Sequence, residues 1–347
     1  MDLSERIEAF AQLGNYLKDS LTGEGGIADP ELQSVAAEAQ KVNPWFTPLF
    51  IYHALSETSR ILDRSLLREL TGRYSPESFQ PVKPLIVGTI LAGNIPLVGF
   101  HDFLCVLLSG HNFKGKMSGK DDKLLPFMAD KLQQFESRFT PSIHFEESYI
   151  GNIDAMIATG SNNSFRYFEY YFGRYPHIFR KNRNGIAILT GDESAEELAA
   201  LADDIFLYFG MGCRNVAKLY VPENYSFDRF FGEMEKYSHV GNHNKYANNY
   251  QYQRSVFLMN SVKHLDNGFL LLRPDQAIPS PVGTLHHETY PELPSLVSGI
   301  QQQKDSIQCI ASRELSGIQT IGFGKTQNPE LWDFADNMDT LKFLSNL

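Results

Sequence analysis

Apolar positions at the start of the chain recur at helical spacing. Leu3, Ile7, Phe10, Leu13 and Leu17 stand three or four apart, and Asp2 with Glu5 supplies the residue pair of a capping box, so a helix is expected there. Residues 23–30 form a Gly-rich interruption, helix-like sequence follows to about Arg73, and Pro81 with Pro84 marks a boundary. The pattern then changes. Residues 85–91 (L-I-V-G-T-I-L) read as a buried strand, followed by an apolar helical stretch over 97–108. A second strand is expected at 154–159 with an aromatic-rich helix at 165–171, and a third at 186–190 with an acidic-start helix at 194–208. Further strands are expected at 216–221, near 269–272 and at 307–311. Strand, helix, strand in this order predicts an α/β fold with parallel pairing and helices on the sheet faces. At 347 residues the chain exceeds one ordinary core, and a division between two lobes is expected near Phe209.

Composition narrows the function classes. Neither a secretory leader nor a run of about 18 apolar residues occurs, so a soluble, cytoplasmic protein without a membrane span is expected. The 31 basic and 41 acidic residues give a net charge of −10, which gains nothing from the phosphate attraction that drives nucleic-acid binding. Cys105, Cys213 and Cys309 are odd in number and far apart, which excludes a disulfide framework and a cysteine-rich zinc site.

Four short segments carry chemistry. Cys213 lies in F-G-M-G-C-R-N, where glycines permit a tight turn and Arg214 favours a thiolate; a buried structural thiol is the bland alternative, and is accepted for Cys105 and Cys309. Asn94, in G-N-I-P after the first strand, can donate its amide to a developing oxyanion or simply form a turn. Gly160 and Ser161 follow the second strand, where a helix start attracts phosphate, although an ordinary helix cap has the same sequence. The basic cluster K-G-K-M-S-G-K, 114–120, suits either a solvated loop or a phosphate or ribose contact. His239 with His243, and His286-His287-Glu288, are poor metal sets for want of a spaced third ligand, so no metal is expected.

In their order these segments resemble the aldehyde dehydrogenase superfamily, and more closely its LuxC-type acyl-CoA reductase family. The likeness runs from about Leu85 to the C-terminus through A-G-N-I-P-L, G-H-N-F-K-G-K-M-S-G, I-A-T-G-S-N-N-S, F-G-M-G-C-R-N and W-D-F-A-D-N-M-D-T-L-K-F-L. The resemblance implies a Rossmann-type cofactor lobe with N-terminal helices over 1–208, a catalytic lobe over 209–325, and a tail, 326–347, that packs back or oligomerises. It implies that Cys213 is the nucleophile and Asn94 the oxyanion donor. Lys116, Ser118, Gly160 and Ser161 would contact a nicotinamide cofactor, and Glu288, in H-H-E-T-Y-P, would hold the nicotinamide ribose. The motif here lacks a Gly and has Tyr290 where relatives have Phe. Hydrolytic relatives carry a general-base Glu in E-L-G-G; the matching stretch, F-R-K-N-R-N-G over 179–185, has no carboxylate. Reduction of an acyl thioester to an aldehyde with NADPH is therefore expected, NADH being the less favoured donor. The homo-oligomer is likewise an implication of the resemblance. An aldehyde dehydrogenase running oxidatively and a degenerate binding subunit are the alternatives.

Overall fold

The computed structural model describes residues 1–23 and 25–347. Helix α1 (Leu3–Ser20) starts as its periodicity requires: the Asp2 carboxylate accepts from the Glu5 N–H and the Glu5 carboxylate from the Asp2 N–H, each at 2.8 Å. Helices α2 (Pro30–Val42), α3 (Pro48–Ile61) and α4 (Arg64–Gly72) follow, capped by Asp29, Thr47 and Asp63. Their apolar faces join one core that includes Phe10, Leu13, Leu55 and Leu70.

Beyond the prolines the chain alternates through β1 (Ile86–Ile90), α5 (Phe100–Leu108), β2 (Asn112–Lys116), α6 (Leu124–Phe135), β3 (Ile143–Glu146), β4 (Ala155–Thr159), α7 (Asn162–Phe172) and β5 (His177–Arg180). The five strands pair in parallel in the order β3-β2-β1-β4-β5. The order reverses at β1, so β1 and β4 flank a topological switch point. Two features differ from the expectation. Helix α5 begins at Phe100 rather than Leu97, because Leu97 adopts φ +57° and breaks any helix through it. The segment carrying Lys114 and Lys116 is a strand, with Phe113 and Gly115 buried and the two lysines on its less buried face.

The remaining elements form a second sheet. They are β6 (Asn184–Ile188), α8 (Ala195–Phe206), β7 (Val216–Pro222), α9 (Asp228–Met234), α10 (Asn244–Met259), β8 (Leu265–Asp266), β9 (Leu271–Pro274), β10 (Thr284–Tyr290), α11 (Leu293–Gln302) and β11 (Ile307–Ala311). Strand order is β11-β6-β7-β10-β9-β8, parallel except for β8 on β9. Helix α12 (Thr340–Ser345) packs on α5, returning the tail to the first unit.

The chain divides into unit 1 (Met1–Asn182 and Glu330–Leu347) and unit 2 (Arg183–Pro329). The boundary expected near Phe209 is corrected to Asn182/Arg183. Strand β6 and helix α8 belong to unit 2 because β6 pairs with β7 and β11, not with β5. Among the described residues no helix is long and apolar enough to cross a membrane.

Candidate functional site

Unit 1 gathers several sequence-predicted residues at the C-terminal edge of its sheet. Asn94 is exposed in the turn after β1, Lys116 ends β2, and Gly160 with Ser161 follows β4. Ser161 caps α7, its Oγ accepting from the Ser164 N–H at 3.2 Å. A Cβ on Gly160 would stand 2.9 Å from the Ser164 Cβ, so only glycine lets strand and helix meet this closely.

The Asn94 turn and the 116–121 loop are packed into one another. A Cβ on Gly93 would lie 2.5 Å from Ser118 Oγ. Asp121, 5% exposed, is bridged to Ser118 and accepts from the Leu97 N–H at 3.1 Å, fixing the left-handed Leu97 that follows Asn94. Its second oxygen, Oδ1, is buried without a hydrogen bond, and burial pushes its carboxyl up to about 7. The sequence reading did not single out Asp121; its signal was its place at the end of the basic cluster.

This edge fits a dinucleotide. Strand ends at a switch point, a helix N-terminus capped by Ser161, and a Lys116 ammonium with no ion pair among the described residues are groups that could meet phosphate and ribose. Gly119 is exposed, with no atom within 4 Å of the place its Cβ would take. Lys114 is differently employed, bonded to the Gly151 carbonyl at 2.8 Å and to Glu146 at 3.1 Å.

In unit 2, Cys213 occupies a turn closed by the Asn215 N–H donating to the Gly212 carbonyl at 3.1 Å, just before β7. It is partly exposed, whereas Cys105 and Cys309 are buried. Burial pushes the Cys105 thiol well up, and the Cys309 S–H donates to the Arg214 carbonyl at 3.5 Å. The chain reaches the turn through Tyr208, Phe209 and Gly210, all at positive φ. Two bulky residues held there cost about 1–2 kcal/mol each. Their rings are buried in return, Phe209 stacking on His243 at 4.5 Å. This break also ends α8 at Phe206, short of the expected Tyr208.

Asn215, which the sequence reading passed over, is the strap. Only 1% exposed, its Oδ1 accepts from the Gly212 N–H at 2.8 Å, and its Nδ2 donates to the carbonyls of Asp204 and Leu207 at 3.0 and 2.8 Å. These carbonyls lie at the end of α8, so one amide both caps that helix and holds the Cys213 turn. Asp204, itself buried, accepts from the N–H groups of Gly324 and Thr326 and from the Thr326 hydroxyl, while Arg214 Nε donates to the Thr326 carbonyl. Burial pushes the Asp204 carboxyl up to about 6.

Glu288 is half-buried and ion-paired. It lies within β10, opposite Tyr220 of the parallel β7, whereas the Cys213 turn precedes β7; residues 280–284 lie nearer the turn's end of the sheet. Its Oε2 accepts from the fully buried Lys218 Nζ at 2.6 Å, and Lys218 also donates to the Gln276 carbonyl. A buried ammonium needs that carboxylate. His286 bonds the Ala277 carbonyl and His287 packs edge-on against Phe227, while burial lowers the pKa of both. His239 stacks on Tyr237. Among the described residues no group of three or more His, Cys, Asp or Glu side chains is arranged to hold a metal. Arg180, in the stretch without a carboxylate, is buried and forms a two-pronged ion pair with Asp102 at 2.6 and 2.9 Å.

The architecture is an aldehyde-dehydrogenase-like fold, with a Rossmann-type lobe and a second α/β lobe. Aldehyde dehydrogenase 21 from Physcomitrella patens, in complex with the reaction product succinate, is similar with a TM-score of 0.67 and 12% identity over 100% of this chain and 84% of that one. An NAD-dependent aldehyde dehydrogenase from Sinorhizobium meliloti gives 0.64 and 12%, covering 91% and 71%. The NAD+ complex of an aldehyde dehydrogenase from Bacillus cereus gives 0.62 and 12%, covering 91% and 73%. No family model and no curated protein matches the sequence.

Proposed function

We propose that the protein is a nicotinamide-dependent oxidoreductase that reduces an acyl thioester to an aldehyde through an acyl group carried on Cys213. The observation that carries this reading is Cys213 itself, a partly exposed thiol on a strapped turn beside Arg214, in a fold shared with aldehyde dehydrogenases. The Cys213 thiolate attacks the acyl carbonyl, a C–S bond forms, and the oxyanion accepts from the Cys213 N–H, with the Asn94 amide a further donor that the resemblance implies. Collapse expels the donor thiolate, which takes a proton to leave as the thiol. The acyl group remains on Cys213.

Lys116, Ser118, Gly160 and Ser161 would hold the cofactor. When bound, it supplies the hydride that turns the acyl group into the aldehyde and frees the Cys213 thiol. Lys116 and Lys120 beside an open Gly119 favour NADPH over NADH, since Gly119 itself sets no carboxylate against a 2′-phosphate. Glu288, which the resemblance assigns to the nicotinamide ribose, also neutralises Lys218. Arg180, tied to Asp102, leaves residues 179–185 without a base for water, which supports reduction over oxidation to the acid. The test is a panel of acyl-CoA esters with NADPH, followed by cofactor absorbance. Turnover with at least one ester is expected; aldehyde oxidation with no thioester reduction would reverse the assignment.

A further inference from the structure

The N-terminal edge of the unit 1 sheet holds a second candidate binding site. There a cavity of about 320 Å³ lies between α1 and the strand starts, lined by Arg6, Gln80, His111, Asn112, Arg138 and Ser142 over apolar walls. It is separated from the Asn94 and Lys116 edge by the strands, about 17 Å for five residues.

Arg6 is 3% exposed and has no ion pair among the described residues. Its Nε and Nη2 donate to the backbone carbonyls of Asp2 and Phe79, and neither carries a full charge. Its Nη1 makes no hydrogen bond to any described residue. Gly110, at φ +86°, makes room for that nitrogen: a Cβ there would stand 2.2 Å from it. The other polar groups do not neutralise Arg6. Arg138 is committed to Glu136 and Glu5. His111 receives the Leu85 N–H on Nδ1 and bonds the Leu344 carbonyl through Nε2, and burial lowers its pKa, so it is neutral. No described residue lining the cavity is a carboxylate, in a protein with an excess of ten acids. The Asp2 and Glu5 carboxylates act on Arg6 only through space, without an ion pair; a buried guanidinium with no carboxylate in contact is costly, and its planar fork matches an oxyanion.

We propose that this cavity is a binding site for a small oxyanion, a phosphate or carboxylate group of a free metabolite, held by Arg6. The site is independent of the Cys213 chemistry.

The test compares thermal unfolding in inorganic phosphate, in acetate and in chloride at equal ionic strength, for wild type, Arg6→Gln and Gln80→Glu. Gln80→Glu is nearly isosteric and supplies the missing carboxylate from the protein, so it decides the matter if Arg6→Gln does not fold. Wild type is expected to gain on the order of 5 °C at a ligand concentration a hundredfold above its dissociation constant. The gain should vanish in both variants, and Gln80→Glu should melt above wild type in chloride. A response to phosphate alone assigns a phosphoryl ligand, and one to acetate alone a carboxylate. Equal melting in all three salts, or a gain that persists in Gln80→Glu, overturns the proposal.

Discussion

Replacing Asn215 by alanine should loosen the Cys213 turn and the end of α8 together. The substitution deletes three hydrogen bonds and leaves the Gly212 N–H and the Asp204 and Leu207 carbonyls to find new partners. At about 1 kcal/mol net per bond, more where a group stays buried and unpaired, the loss is about 3–4 kcal/mol. Asn215→Asp sharpens the test. It keeps the acceptor for the Gly212 N–H but sets a carboxylate oxygen against two carbonyls, so it should destabilise at least as much as alanine. Trp45 and Trp332 both lie in unit 1, which makes tryptophan fluorescence a poor reporter of this change. Far-UV circular dichroism in urea, with hydrogen exchange of peptides spanning 203–216, reads it directly. A loss under about 1 kcal/mol, or an Asp variant as stable as wild type, would refute the role given to this side chain.

Asn94→Ala should lower turnover about 100- to 1,000-fold with cofactor affinity little changed, and an unaltered single-turnover rate would reduce Asn94 to a turn residue. Gly119→Glu fits the open space at that position and should shift preference from NADPH toward NADH; an unmoved ratio of kcat/KM values would remove Gly119 from cofactor selection. Asp121 is held neutral by burial, so the stability it contributes is complete below its ordinary pKa and is lost as pH rises through about 7. Asp121→Asn cannot ionise and keeps an acceptor for the Leu97 N–H. Its stability relative to wild type should therefore grow between pH 4 and 8 by on the order of 4 kcal/mol, and a constant difference in denaturant melts would show that Asp121 does not titrate there.

Much of the fold was legible where one physical signal dominated. The spacing of Leu3 to Leu17 and the Asp2–Glu5 pair located α1, and the mostly apolar runs located β1, β4 and β11. Strand β2 was hidden because its outward lysines dominate its composition, while only Phe113 and Gly115 turn inward. The unit boundary was hidden for a different reason. Residues 181–183 join β5 to β6 with no linker composition, and which sheet β6 enters depends on partners far along the chain, β7 and β11. Cys213 and Asn94 stand out as candidates through their motifs. Asn215, Asp121 and the Lys218–Glu288 pair do not, because each acts through a tertiary partner that local sequence does not name.

The proposed acyl group on Cys213 is directly observable by intact-protein mass spectrometry. Incubation with an acyl-CoA that supports turnover, without reduced cofactor, leaves the acyl-enzyme no hydride and no general base for water. Loss of such a base slows a step about 100- to 10,000-fold, enough for the adduct to persist. A mass increase equal to the acyl group is expected on wild type, absent from Cys213→Ala, and cleared by NADPH with release of an equal amount of aldehyde. A full-sized adduct on Cys213→Ala, or rapid release of free acid from an unmodified wild-type protein, would contradict the proposal.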